Sequence, residues 1–199
     1  MKCKLEVVTR LSEMGAVANE SDHLGREPIH FALLQSVEMA ELLLREEGVT
    51  LDGRDKFGRH ALHFAVQSRR LDVVKFVLHE RPRFLNEPDI HGWTPLLWAL
   101  RSPSPICVQM TEDQLKDILE LLINQGASKF VKGTGTKNEF WTPVKLASYS
   151  GLDVLEIVRP SPEELNRCDD EFKDLWYEEC ERHGTHRLTA YCDICLAVE

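Results

Sequence analysis

The chain has 199 residues, 43% of them hydrophobic, and a formal net charge of −9. This charge argues against a broad nucleic-acid interface, which needs clustered lysine and arginine. No run of about 20 apolar residues and no secretory signal pattern occurs, so we expect no membrane partner and a cytoplasmic location, with the nucleus as the alternative. In such a reducing compartment the six cysteines are expected to be thiols or metal ligands rather than disulfides.

The first amphipathic pattern predicts a helix over residues 4–15. Leu5, Val8 and Leu11 lie on one face, and Gly15 supplies a stop. Residues 15–19, Gly-Ala-Val-Ala-Asn, then resemble the G-A-x-x-N close of an ankyrin unit, so residues 1–21 are predicted to be a half unit that begins on its second helix. Either this half unit is an irregular N-terminal cap, or the chain is a piece of a longer array.

Residues 55–86 show the complete recurring pattern. Gly58 marks a tight turn, a short apolar run follows from Ala61 to Val66, and a second apolar face follows from Leu71 to Leu78. A turn, a short helix, a turn and a second helix cannot bury their apolar faces alone, so copies of the unit are expected on either side.

The same pattern recurs around four alanines, Ala32, Ala65, Ala99 and Ala147, which are 33, 34 and 48 residues apart. The segments before them resemble the ankyrin repeat, whose unit of about 33 residues has a T-P-L-H-x-A signature. The first two units keep its histidine, as His30 and His63, and the third and fourth keep its Thr-Pro pair. The resemblance covers about residues 4–159 and implies an all-α solenoid of helix-turn-helix repeats, in which the two histidines hydrogen-bond between turns.

The later part of the chain departs from the regular unit. The spacing of 48 predicts an insertion with a proline-containing loop after Ser102 and a turn-prone loop at residues 132–138. Ser161 and Pro162 then predict a helix start, and residues 161–182 hold nine acids and three bases. We interpret this segment as a helix that caps the stack, with an acidic docking helix for a basic partner as the alternative. The predicted segments are therefore a half repeat at 1–21, an array at 22–159, the acidic capping helix at 160–182 and a tail at 183–199.

The resemblance also implies a partner-binding face, formed by the turns and the near face of each first helix. Aromatic and arginine side chains are common there, as in binding hot spots, so the expected partner is another protein. The alternative is that Phe57, Trp93 and Trp141 pack on neighbouring turns. The implied residues are His23, Leu24, Arg26, Lys56, Phe57, Arg59, Gln67, Ile90, His91, Trp93, Arg101, Trp141 and Tyr149.

A cysteine and histidine cluster near the C-terminal end is a candidate zinc site. Cys180, His183, Cys192 and Cys195 form one tetrahedral ligand set, and His186 in place of Cys180 forms another. The segment around Cys192 also resembles the opening C-D-x-C knuckle of a ZZ-type zinc finger, whose further ligands are absent from this sequence. The alternatives are a truncated finger without a complete ligand set and a frayed tail with reduced thiols.

No sequence motif supports catalysis, because phosphate-binding glycine loops, G-x-S-x-G and H-E-x-x-H are all missing. We therefore predict a non-catalytic interaction module or scaffold, a monomer that needs no cofactor unless the tail binds zinc. The alternative is a zinc-binding adaptor or regulatory segment of a larger multidomain protein, and a part of a larger enzyme also remains open.

Overall fold

The computed structural model describes residues 2–101, 112–135, 139–150 and 154–167. These residues form helices joined by turns, with one short antiparallel hairpin, and confirm the expected all-α helix-turn-helix solenoid. The helices are α1 (Lys2–Glu13), α2 (Pro28–Leu33), α3 (Val37–Leu43), α4 (Ala61–Gln67), α5 (Leu71–Glu80), α6 (Pro95–Leu100), α7 (Glu112–Asn124), α8 (Pro143–Ser150), α9 (Leu155–Val158) and α10 (Pro162–Arg167). A 3₁₀ turn spans Pro82–Asn86, and the hairpin strands are β1 (Gly133–Thr134) and β2 (Phe140–Trp141).

The helices pair in sequence order and the pairs stack. Helices α2, α4, α6 and α8 contact one another in succession and form an inner row, while α3, α5, α7 and α9 form an outer row behind them. The four alanines that define the repeat, Ala32, Ala65, Ala99 and Ala147, are buried in the inner row. Their small side chains let neighbouring inner helices approach closely, which explains why the sequence repeats on this residue.

Local signals set the helix starts. A proline begins α2, α6 and α8, where its missing N–H costs nothing and its fixed φ favours the helix. Ser36 caps α3 by accepting the Met39 N–H at 3.2 Å. One sequence expectation is corrected: the segment predicted as a loop at 132–138 contains β1, whose Gly133 pairs with Trp141 of β2.

The N-terminal helix α1 lies against α3, on the outer row. Where an inner helix would precede α2, the structure has an apolar groove of about 780 Å³ between α1, α2 and α3. Val7, Leu11, Val17 and Phe31 line it and are exposed. Each later inner helix packs one face against the inner helix before it. The equivalent face of α2 borders the groove and has no inner helix packed on it among the described residues.

No helix of the described residues is long and apolar enough to cross a membrane.

Candidate partner-binding face

Each of the first three turns is built on one aspartate. An Oδ1 atom of Asp22, Asp55 and Asp89 accepts the backbone N–H groups two and four residues later, at 2.8 to 3.0 Å. The aspartate's own N–H donates to the carbonyl four residues later, and a glycine at positive φ completes the turn (Gly58, φ 73°). The same backbone loop thus recurs once per unit.

Backbone hydrogen bonds join each turn to the next. The Lys56 N–H donates to the Leu24 carbonyl at 2.8 Å, and the Ile90 N–H donates to the Phe57 carbonyl at 3.0 Å. In the fourth unit the hairpin takes the place of the turn, and the Thr134 N–H donates to the His91 carbonyl at 2.8 Å. We call this row of bonds the turn ladder. It aligns the turn tips, and with them most of the predicted binding residues, along one edge of the stack.

The two histidines of the repeat signature join α2 and α4 to the following unit, as the resemblance implied. His63 accepts the His60 N–H at Nδ1, so its Nε2 carries the proton and donates to the Trp93 carbonyl at 2.9 Å. His30 bonds Glu27 N–H and the Gly53 carbonyl in the same way. Burial lowers the pKa of His63 well below its usual value and also lowers that of His30. Both side chains are therefore neutral structural bridges.

His60 forms a second buried bridge that the sequence did not predict. Its Nδ1 accepts the Leu62 N–H at the start of α4, and its Nε2 donates to the Glu87 carbonyl at 3.1 Å. The ring stacks on Phe84 with 4.2 Å between centroids and lies 4.0 Å from the His63 ring. Burial lowers the pKa of His60 to about 4. The sequence feature that could have predicted this bridge is a histidine at the N-cap position of α4, where the repeat signature usually has threonine.

The arginines of the first two turns are neutralised within their own turn. Arg26 donates to Asp22 at 2.6 Å, and Arg59 donates to the fully buried Asp55 at 2.6 Å. The ion pair with Arg26 lowers the pKa of Asp22 to about 2. Arg26 also lies over the Phe31 ring, 4.8 Å from its centre. These arginines hold the turns together and present only part of their surface.

The third turn has a tryptophan, Trp93, where the first two have arginine. The second carboxylate oxygen of Asp89 accepts the indole N–H of Trp98 instead, at 3.0 Å. Trp98 lies on α6, half-buried, with the Arg59 guanidinium 5.3 Å and the Arg101 guanidinium 4.8 Å from its ring centre. Arg101 also lies 5.4 Å from the Trp93 ring centre. Trp93, Trp98, Arg59 and Arg101 together form what we call the tryptophan–arginine cluster.

The fourth unit replaces the bridging histidine with Lys145. This residue is only 9% exposed, and its ammonium group donates to the Phe140 carbonyl at 3.0 Å and lies 4.9 Å from the Trp141 ring centre. The lysine therefore ties α8 to the β2 strand of its own unit, whereas the histidines join their helices to the following unit. Trp141 is half-buried beside it, and its indole N–H donates to Glu139.

The predicted binding residues divide by exposure. His23, Lys56, Phe57, Ile90, His91 and Arg101 are exposed, whereas Leu24, Arg26, Arg59, Gln67 and Trp141 are half-buried. Trp93 is only 8% exposed, and its indole N–H donates to the Thr134 carbonyl at 2.9 Å. Trp93 therefore packs on the neighbouring turn, as the alternative interpretation held. The Tyr149 side chain lies outside the described residues.

Sequence reasoning missed Trp98, which is central to the cluster. Its signal was available, since Trp98 and Arg101 are three residues apart at the helical spacing that brings side chains together. Phe31 and Phe140, both exposed, were also missed.

The candidate zinc ligands Cys180, His183, His186, Cys192 and Cys195 lie outside the described residues. Within the described ranges no group of three or more potential ligands comes together. The zinc site stays a prediction.

Comparison with known proteins agrees with the stacked units. The ankyrin-repeat family model, "Ankyrin repeats (3 copies)", matches residues 1–89. The chain is 27% identical over 193 residues to "Ankyrin repeat domain-containing protein SAT10" from Stachybotrys chartarum, which covers 96% of this chain and 9% of that protein. It is 34% identical over 125 residues to "ANK repeat-containing protein nipk-1" from Caenorhabditis elegans, covering 60% of this chain and 20% of the relative.

A third relative is "Transient receptor potential cation channel subfamily A member 1" from Homo sapiens, 26% identical over 144 residues, or 71% of this chain and 11% of that protein. The chain thus spans a small part of the length of each of these relatives.

Proposed function

We propose that the chain is a non-catalytic module that binds another protein on its inner-helix and turn face, because residues 1–89 match an ankyrin-repeat family model and the fold is an all-α stack of helix pairs. Ankyrin repeats generally mediate protein–protein interaction and are typically non-catalytic. We further propose that the chain acts as a monomer in the cytoplasm, where the reducing environment keeps its cysteines as thiols. The partner contacts the turn tips and the exposed side of the inner row.

The observation that carries this proposal is the alignment of exposed apolar and charged side chains by the turn ladder. Ile90 is 63% exposed and Phe57 is 40% exposed, and the Ile90 N–H is bonded directly to the Phe57 carbonyl. Lys56, His91 and Arg101 are exposed on the same units. A rigid backbone that presents these groups loses little entropy when a partner docks, which favours recognition.

A site-specific photo-crosslinking experiment tests the face. The chain would carry a photoreactive amino acid at Ile90 or, in a matched control, at Glu120, which is exposed on the outer-row helix α7. We expect discrete protein adducts from position 90 and none of the same mass from position 120. Equal adducts at both positions, or adducts at position 120 alone, would place the partner on another surface.

A further inference from the structure

We propose that the tryptophan–arginine cluster recognises an acidic side chain, aspartate or glutamate, in a peptide segment of the partner protein. This inference rests on the proposed function and deepens it by naming the chemistry of the partner. Arg101 supplies the recognising group, because the residue is exposed and its guanidinium lies 4.8 and 5.4 Å from the centres of two indole rings.

The charge balance of the cluster leaves Arg101 uncompensated. Arg59, on the same Trp98 ring, is neutralised by Asp55 at 2.6 Å. Asp89, the carboxylate of the adjoining turn, already accepts three hydrogen bonds, from the His91 and Trp93 backbone and from the Trp98 indole. Among the described residues no carboxylate lies within ion-pair distance of Arg101.

The sequence around Arg101 supplies no carboxylate either. Residues 102–111, which follow it directly, read SPSPICVQMT and contain no aspartate or glutamate. This absence of acid contrasts with a chain whose net charge is −9. An exposed cation that local acids do not neutralise, in an acidic protein, favours a partner that brings the acid.

The arginine is held in place before a partner arrives. The Arg101 N–H donates to the Leu97 carbonyl at the end of α6, and its own carbonyl accepts a hydrogen bond from the Arg69 guanidinium at 3.0 Å. With the backbone fixed and the side chain stacked on Trp93 and Trp98, the guanidinium loses little freedom on binding. Its planar fork of N–H groups matches a carboxylate in a bidentate geometry that lysine does not provide.

The surroundings of the tryptophan–arginine cluster also indicate which side chain should lie near the acidic residue in the ligand peptide. Arg59 lies 5.4 Å from the Phe57 ring centre and 5.3 Å from that of Trp98, so it connects the exposed Phe57 to the cluster. Ile90 is bonded to Phe57 through the turn ladder. A ligand that places its carboxylate on Arg101 therefore reaches an apolar surface formed by Phe57 and Ile90. The expected ligand is an extended peptide with one acidic residue and an apolar residue a few positions away.

The test uses a phage-displayed library of random peptides selected on the full chain, followed by fluorescence anisotropy with the enriched peptides. Three chain variants are compared: Arg101→Gln, Ile90→Ala and a matched control, Arg45→Gln, which removes an exposed arginine after the outer-row helix α3. All three positions are exposed, so each variant is expected to fold, and circular dichroism checks this. We expect enrichment of Asp or Glu and at least about a tenfold weaker affinity for Arg101→Gln, as for a lost charge-assisted hydrogen bond, with no change for Arg45→Gln.

Replacing the acid of an enriched peptide with its amide gives the decisive comparison. The peptide change and Arg101→Gln should not be additive, because both remove the same interaction. Binding that needs Ile90 but neither Arg101 nor the peptide acid would overturn acid recognition and leave the proposed function standing. Peptides that depend on neither residue, or a library without an enriched peptide, would overturn both.

Discussion

The second and third units form the same turn with different side chains. In both, one aspartate oxygen accepts two backbone N–H groups, from Phe57 and Arg59 in the second unit and from the corresponding residues in the third. The other oxygen differs: Asp55 holds Arg59 within the turn, whereas Asp89 holds the Trp98 indole of α6. The backbone bonds thus define the turn, and the remaining oxygen accepts whichever donor the unit provides.

This difference separates a structural turn from one that can serve recognition. In the second unit the cation is half-buried and paired, and His63 bridges α4 to the following turn. In the third unit Leu97 stands at the bridging position, the aspartate is satisfied by a neutral donor, and the cation Arg101 remains exposed. The second unit thus uses its cation to hold its own turn, whereas the third leaves a cation exposed.

The largest expected loss of stability comes from replacing the turn aspartates, which we compare in two separate single variants. Asp55→Ala leaves a half-buried arginine without its partner and two backbone N–H groups without an acceptor, so the free energy of unfolding should fall by about 3–5 kcal/mol. Asp89→Ala leaves only neutral donors without their acceptor and should cost about 1–3 kcal/mol. Urea unfolding of both variants measures the difference. An equal or larger cost for Asp89→Ala would mean that the turn bonds, not the ion pair, dominate.

The second-largest expected effect is destabilisation of the second unit at acidic pH. Because burial lowers the pKa of His60 to about 4 from the usual value near 6.5, the folded state binds fewer protons than the unfolded chain. The stability that depends on neutral His60 is therefore fully present above pH 6.5 and is lost as the pH falls toward 4. At pH 4 the free energy of unfolding should be lower by roughly 3 kcal/mol than above pH 6.5. His30 and His63, whose pKa values are also lowered, add to the same trend.

Urea unfolding at a series of pH values, with His60→Gln and His79→Gln, measures this dependence. His79→Gln, at an exposed position at the end of α5, is the matched control, and His60→Gln should give a shallower slope than this control. Parallel slopes for both variants and the parent chain would assign the acid sensitivity to other groups.

A smaller effect is expected when the second unit is given the third unit's residue. His63→Leu leaves the Trp93 carbonyl and the His60 N–H without their bridge, which should cost about 1–3 kcal/mol in thermal or urea unfolding. Leu62→Met, a nearly volume-conserving change on the same helix without a lost hydrogen bond, is the control. If His63→Leu is as stable as the parent chain, the bridge contributes nothing beyond filling space.

The smallest effect tests the substitute donor of the third unit. Trp98→Phe keeps an aromatic ring near Arg101 but removes the indole N–H that Asp89 accepts, so the loss should be about 1 kcal/mol. Trp93→Phe is a useful comparison, because it removes the equivalent bond to the Thr134 carbonyl from a buried ring. Near-ultraviolet circular dichroism and urea unfolding of both variants report the change. A larger loss for Trp98→Phe than for Trp93→Phe would mean that the Asp89 contact is essential to the turn.

The stack was predictable from the sequence because its signals are local and periodic. Ala32, Ala65 and Ala99 recur at nearly constant spacing, and the prolines and glycines mark helix starts and turns. These features depend on the backbone of each unit alone. The resemblance to the ankyrin repeat implied, in addition, that His30 and His63 bridge neighbouring units, as they do.

The burial of Trp93 was not predictable in this way, because it depends on the inserted segment of the next unit. Gly133 lies so close to the indole that a Cβ atom there would come within 2.8 Å of the Trp93 ring, and the Thr134 carbonyl accepts the indole N–H. Both residues are some 40 positions away in an insertion whose hairpin the sequence did not indicate. The Trp98 contact with Asp89 likewise joins a helix to a turn, which no periodic pattern reports.

The turn ladder has a consequence for the timescale on which neighbouring units separate. The amide protons of Lys56, Ile90 and Thr134 each cross one junction between units, so they exchange with solvent only when that junction opens. The hydrogen-exchange rate of each of these three amides therefore reports how often its own junction opens. A partner that spans two units should slow amide exchange at the junction between them and leave the exchange rates at the other junctions unchanged.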